Sequence, residues 1–171
     1  MVDIRPESPD DIAAIRTVNR LAFGQADEAA LVDALRDGGF GVASLVAEGA
    51  DRIVGHIFFS RLPIEVGDRV IEGAALAPMA VMPDRQRQGI GSALVRAGLA
   101  ACRAAGIAAV VVLGHSDYYP RFGFAARAAQ GLRPPFADAG DAFMALELVP
   151  GSLCLCDAAV RYAPPFGIAD G

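Results

Sequence analysis

Val81-Met82-Pro83-Asp84-Arg85-Gln86-Arg87-Gln88-Gly89-Ile90-Gly91-Ser92-Ala93-Leu94 is the stretch on which the reading of this chain turns. An apolar run ends at Val81, and Pro83 lacks the backbone donor that a continuing strand needs. A short basic loop follows. Gly89 and Gly91 then open a long helix that Gly106 stops. The first amides of a helix have no partners inside it, and the helix dipole adds partial positive charge at the same end. A glycine there has no side chain to hold an anion away from its amide. Strand end, basic loop and glycine-rich helix start together suit a diphosphate.

The charge distribution points the same way. The chain of 171 residues has a net charge of −5, yet Arg85 to Ser116 holds four arginines and no Asp or Glu. The remainder therefore carries −9. A basic island in an acidic chain marks a local anionic ligand, whereas the overall sign argues against nucleic-acid binding. A Gly-x-Gly pair also begins dinucleotide-binding folds. There it follows a parallel strand directly and has a third glycine. Here a proline-broken strand and a loop intervene, and Leu94 stands at the third position.

Upstream of the loop, alternation predicts a strand over Val2 to Arg5. Ser8-Pro9-Asp10-Asp11 reads as a helix start. Ile12, Ile15, Val18 and Leu21 follow at helical spacing. A second helix is expected from Asp27 to Arg36, with Ala30, Leu31, Ala34 and Leu35 inward. Strands over Ala43 to Glu48, Arg52 to Arg61 and Val70 to Val81, separated by turns at Gly49-Asp51 and Gly67-Asp68, form an antiparallel meander. Downstream, Gly89 to Ala105 is a helix apolar over most of its surface, which should pack on a sheet. Ile107 to Leu113 is a β-branched run suited to a buried central strand. Ser116 to Phe122 is a short helix and Asp141 to Val149 a strand. Ala125 to Gly140 looks irregular, and nothing is placed beyond Pro150.

These elements and motifs resemble the GCN5-related N-acetyltransferase (GNAT) superfamily, in particular its small bacterial subgroup. The hallmark Gln/Arg-x-x-Gly-x-Gly/Ala is Gln86-Arg87-Gln88-Gly89-Ile90-Gly91, preceded by Met79-Ala80-Val81-Met82-Pro83. A second signature, Tyr118-Tyr119-Pro120-Arg121-Phe122-Gly123-Phe124, is similar to the family's Tyr-x-x-x-Gly-Phe. The order of elements matches over roughly residues 2 to 149.

The resemblance implies an α/β (α+β) fold: a mixed, mostly antiparallel sheet, splayed at a cofactor cleft and flanked by helices. It implies one domain over 1–150, with 151–171 an extension packed on it. It implies acetyl transfer from acetyl-CoA (coenzyme A) to a primary amine, by direct attack through a tetrahedral intermediate. By similarity, Met79, Ala80 and Val81 contact the pantetheine arm, and Arg87, Gln88, Gly89, Ile90, Gly91 and Ser92 wrap the diphosphate. Tyr119 is the general acid by motif position, and Tyr118 is the alternative one residue away. Many members place a carboxylate base on the strand before the loop, but Ala74 to Val81 has none. His115, at the loop end of the buried strand, is a candidate base or substrate contact. His56 lies in a strand, where histidine is more often structural. A non-catalytic acyl-CoA sensor of the same fold is the alternative.

The acceptor is a small-molecule amine or a protein amino group. No metal is expected: Cys154-Leu155-Cys156 matches no common zinc spacing. The odd count of three cysteines reads as reduced thiols. With no leader segment and no apolar run long enough to span a bilayer, the chain is expected to be cytoplasmic, away from membranes and nucleic acid. Family members are often dimers, so a homodimer is an expectation of the resemblance alone.

Overall fold

The computed structural model describes residues 1–153 and 157–168. Its strands are β1 (Asp3–Pro6), β2 (Gly41–Glu48), β3 (Ile53–Val66), β4 (Arg69–Val81), β5 (Ala109–Leu113), β6 (Phe143–Glu147) and β7 (Ala159–Val160). Its α-helices are α1 (Ile12–Phe23), α2 (Asp27–Asp37) and α3 (Ile90–Ala104). The chain forms two compact units, Met1–Phe59 with Ala77–Cys102, and Ser60–Leu76 with Arg103–Gly171. β3 passes from the first into the second, and β4 passes back.

In the first unit the strand order is β1-β2-β3-β4. β1 runs antiparallel to β2, with Asp3 opposite Glu48 and Pro6 opposite Leu45. The entry to α1 is held by Asp11, not by the Ser8 side chain alone: the Ser8 amide donates to Asp11 Oδ2 at 2.7 Å, and Arg5 grips both carboxylate oxygens at 2.7 and 2.9 Å. Those bonds from Arg5 hold the Asp11 carboxyl well below the usual range. The inward faces of α1 and α2 differ from expectation. α2 buries Ala29, Val32 and Leu35, while Ala30 and Ala34 are exposed. Alanine is nearly indifferent to burial, so the alanines cannot fix the phase of a helix. In α1, Leu21 is 52% exposed and Asn19 is fully buried, because Asn19 has a buried polar partner described below.

α3 buries Ile90, Leu94, Val95, Gly98, Leu99 and Cys102, as an apolar helix on a sheet should. It comes close to β3 at Gly98: a Cβ there would lie 2.1 Å from Cε2 of the fully buried Phe59. Gly98→Ala is therefore expected to cost about 2 kcal/mol by overpacking, read as a lower urea midpoint at unchanged m-value.

The second unit carries β4-β5-β6, with β7 on β3. β5 pairs in parallel with β4, Gly73–Ala75 against Ala109–Val111, and antiparallel with β6 along its whole length. Leu62, Ile64, Val111, Phe143 and Ala145 pack into one core cluster with Leu132 and Ala158. The mixed, mostly antiparallel sheet flanked by helices is the fold class expected. β3 runs five residues past its expected end at Arg61, to Val66, where β7 pairs with Ile64 and Glu65. The segment expected to be irregular contains a 3-10 turn over Ala126–Ala129 and a bridge from Leu132 to Ala158. Past Pro150, Arg161 pairs with Glu65 at 3.0 Å, and Arg133 with Asp157 at 2.8 Å. Cys154 and Cys156 lie outside the described residues. No helix among the described residues is long and apolar enough to cross a membrane. Among them, no group of three or more His, Cys, Asp and Glu is placed to hold a metal ion.

Candidate functional site

The loop after β4 is built from its own side chains. Gln86 Nε2 donates to the Val81 carbonyl at 3.1 Å, and Gln88 Nε2 to the Asp84 carbonyl at 3.4 Å. The loop's one acid, Asp84, is paired with Arg52 at 2.5 Å, so its remaining charge is that of Arg85 and Arg87. The backbone turns left-handed twice, at Arg87 (φ 60°) and Gly89 (φ 81°). Arg87 is the one non-glycine residue with positive φ among the described residues. That conformation is uncommon outside glycine, and alternating backbone handedness is how chains aim successive amides into an anion-binding hollow. Gly89 suits its angle and faces open space: a Cβ there would meet nothing within 4 Å. α3 begins directly after it, and the amide of Ala93 closes onto the Gly89 carbonyl at 3.0 Å. Arg87, Gln88 and Gly89 are exposed, Gly91 and Ser92 half-buried, and Ile90 is turned into the core. On the strand before the loop, Met79 and Val81 are half-buried and Ala80 is buried.

The second signature folds as a tight turn in the second unit. The amides of Tyr118 and Tyr119 both donate to the His115 carbonyl, at 3.1 and 3.3 Å. Gly123 ends the turn in a left-handed conformation (φ 99°). Tyr119 is 7% exposed and meets Tyr118 and Phe124 edge-on, at ring separations of 5.1 and 5.8 Å. Burial, with a smaller push from Tyr118, raises its phenol to about 12, so it keeps its proton at neutral pH. Tyr118 is half-buried beneath the Arg121 guanidinium, 4.5 Å from its ring centroid. The His115 side chain is exposed.

A cluster that sequence reading did not assemble lies in the first unit. His56 is fully buried; its Nδ1 lies 3.2 Å from Asn19 Nδ2 and its Nε2 2.9 Å from Ser44 Oγ. Ser44 donates to Glu7, whose carboxylate is gripped by Arg36 at 2.6 and 3.0 Å. Burial lowers the His56 pKa more than Glu7 raises it, so the ring is neutral. Burial pushes the Glu7 carboxyl up, but its partners His56, Arg36 and Ser44 together hold it well below the usual range. The cluster ties the segment after β1 to β2, β3, α1 and α2, which is the structural role that a strand histidine most often has. Its five members are far apart in sequence, and a polar residue on a helix's inner face was the only local signal.

Comparison with known proteins agrees with the fold. The model of the acetyltransferase (GNAT) domain matches residues 3–127. The chain is 34% identical over 164 residues to the uncharacterized N-acetyltransferase YhbS of Escherichia coli, covering 95% of this chain and 97% of that protein. It is 40% identical over 118 residues to the uncharacterized N-acetyltransferase YjhQ of the same organism, 67% of this chain but only 64% of that relative's length. The crystal structure of YhbS in complex with CoA superposes with a TM-score of 0.88 at 34% identity, over 97% of this chain and 92% of that one. A GNAT family acetyltransferase from Brucella melitensis in complex with acetyl-CoA gives a TM-score of 0.79 at 36% identity, over 97% and 98%. The chain belongs to the GNAT acetyltransferase family.

Proposed function

We propose that this chain is an N-acetyltransferase that moves an acetyl group from acetyl-CoA to a primary amine of a small molecule or a protein. The observation that carries this reading is the open helix mouth: Gly89 exposed, left-handed and facing empty space, at the start of α3 beside a loop whose acid is already paired. Arg87 to Ser92 hold the diphosphate there, and Met79, Ala80 and Val81 receive the pantetheine arm. The CoA and acetyl-CoA complexes of two relatives support the assignment. The pairing of β7 with β3 supports residues 151–171 as an extension of one acetyltransferase domain over 1–150.

In the reaction the amine nitrogen bonds to the thioester carbonyl carbon and the carbon–sulfur bond breaks. A backbone amide near Met79 or Ala80 stabilises the oxyanion. Tyr119 presents its phenol to the leaving sulfur. A phenol near 12 is a weaker acid than an ordinary thiol, so Tyr119 acts first as a hydrogen-bond donor. Its contribution then falls at the low end of general-acid effects, about 10²-fold. β4 offers no carboxylate from Ala74 to Val81, and the nearest acid, Glu72, is exposed beside Arg61. His115 is the candidate that takes the proton from the incoming amine.

The test is a thermal shift with acetyl-CoA, followed by thiol release across spermidine, an aminoglycoside and peptides with free N-terminal or lysyl amines. Acetyl-CoA at a hundredfold excess over its Kd is expected to raise Tm by about 5–10 °C. No shift removes the reading. A shift without thiol release from any amine favours an acyl-CoA sensor.

A further inference from the structure

We infer that Gly114 is a positioning residue for the Tyr119 phenol; the inference rests on the acid role given to Tyr119 above. Gly114 follows β5 directly and does not have a left-handed backbone, so no backbone angle demands glycine there. Space does. A Cβ on Gly114 would lie 2.5 Å from Tyr119 Cε2 and 3.2 Å from Cδ2, distances at which one side must give way. The Cε2 side of the ring occupies the space that a side chain on residue 114 would need.

Neither backbone is free to yield. The Gly114 amide donates to the Ala142 carbonyl at 3.0 Å, extending the β5–β6 ladder by one bond beyond Leu113 and Phe143. The Tyr119 amide is tied to the His115 carbonyl at 3.3 Å, so the loop joining the two residues is pinned at both ends. On the aromatic side, Tyr118 and Phe124 meet the ring edge-on, and Phe122 lies 6.5 Å away. A methyl group at 114 must therefore move the Tyr119 ring, by about the ångström at which misplaced catalytic groups begin to lose one to two orders of magnitude. The residue sets where the hydroxyl sits, and it makes no contact of its own with a reacting atom.

Hydroxylamine is the acceptor probe. It is mostly neutral at pH 7, so its lone pair is free before attack, and the proton it loses afterwards can pass to His115 or water while the readout weights the departure of the thiol. Steady-state kcat and KM for acetyl-CoA would be measured for Gly114→Ala, Tyr119→Phe and the double variant, with the uncatalysed reaction subtracted. Gly114→Ala is expected to lower kcat about 10–30-fold with KM for acetyl-CoA within about twofold. The double variant is expected to match Tyr119→Phe alone, because a hydroxyl that is absent cannot be misplaced. Wild-type kcat in Gly114→Ala, or losses that multiply in the double variant, overturn the positioning role. Wild-type kcat in Tyr119→Phe instead overturns the acid role and leaves Gly114 a packing residue. If Gly114→Ala fails to fold, Phe124→Leu removes one of the rings that hold Tyr119. It must then lower kcat at unchanged KM, or the inference fails.

Discussion

Gly91→Asp is expected to weaken CoA binding about 10³-fold while leaving the protein as stable as before or slightly more so. The two effects have opposite signs for one reason. Gly91 is in the first turn of α3, where the amides lack helical partners and the dipole is positive. A carboxylate there is favourable to the free protein, by about 0.3–1 kcal/mol, and it replaces a poor helix former. To a diphosphate the same carboxylate is a competitor. A single negative charge roughly 5 Å from two others, at an effective dielectric near 20, is opposed by about 6.6 kcal/mol before salt screening. Even two thirds of that accounts for the loss expected. Calorimetric titration with CoA, paired with urea unfolding of the same samples, reads both quantities. Gly91→Ala separates charge from bulk, since it should bind CoA within about tenfold of wild type if repulsion is the cause. Wild-type affinity in Gly91→Asp would place the anion elsewhere and remove the cradle from the proposed function.

The loop was legible because its signals are local and act on the backbone. Pro83 opens the turn that follows β4, Gly89 permits an angle that other residues resist, and the apolar run after it continues as a helix until Gly106. The same holds for the tyrosine turn, where Pro120 and Gly123 bracket a single 3-10 turn. What the sequence did not disclose is non-local. The phase of α2 depended on alanines that carry almost no preference, and on Arg36, a charge that turns partly inward to reach Glu7, 29 residues away. β3 was expected to end before Pro63. It continues because β7, from a segment with no pattern of its own, pairs beyond that proline, and the Arg161 amide bonds the Pro63 carbonyl. Nothing local in the sequence marks Gly114. Only the ring that folds back onto it, five positions later, gives it a reason.

His56→Ala is expected to cost on the order of 4 kcal/mol and to flatten the acid limb of the stability profile. The ring's hydrogen bonds fix its state. Asn19 Nδ2 gives one hydrogen to the Ile15 carbonyl at 3.0 Å and directs the other at His56 Nδ1, so Nδ1 accepts. The ring proton is then on Nε2 and goes to Ser44, which donates in turn to Glu7. Every donor in the chain meets an acceptor in a single direction. Removing the ring leaves a cavity, an unpaired Asn19 hydrogen and a Ser44 oxygen that has lost its donor, and such terms add to a few kcal/mol. Asn19 Oδ1 is already buried without a hydrogen-bond partner, so the amide has no reserve from which to compensate. The pH dependence follows from the same geometry. A proton added at Nδ1 would point at the Asn19 amide hydrogens, and burial opposes it further, so the folded pKa lies below the 6.5 of the unfolded chain. Stability is thus full above pH 6.5. Below it the unfolded state binds the extra proton, and stability falls by about 1.4 kcal/mol per pH unit until the native ring also protonates. Glu7, held below its ordinary 4.5, adds a second loss beneath that pH. Urea unfolding at pH 8, 6.5, 5.5 and 5 measures the first limb separately. A wild-type profile flat from 6.5 to 5, or an unchanged slope in His56→Ala, would mean the buried ring does not carry the acid sensitivity of this fold.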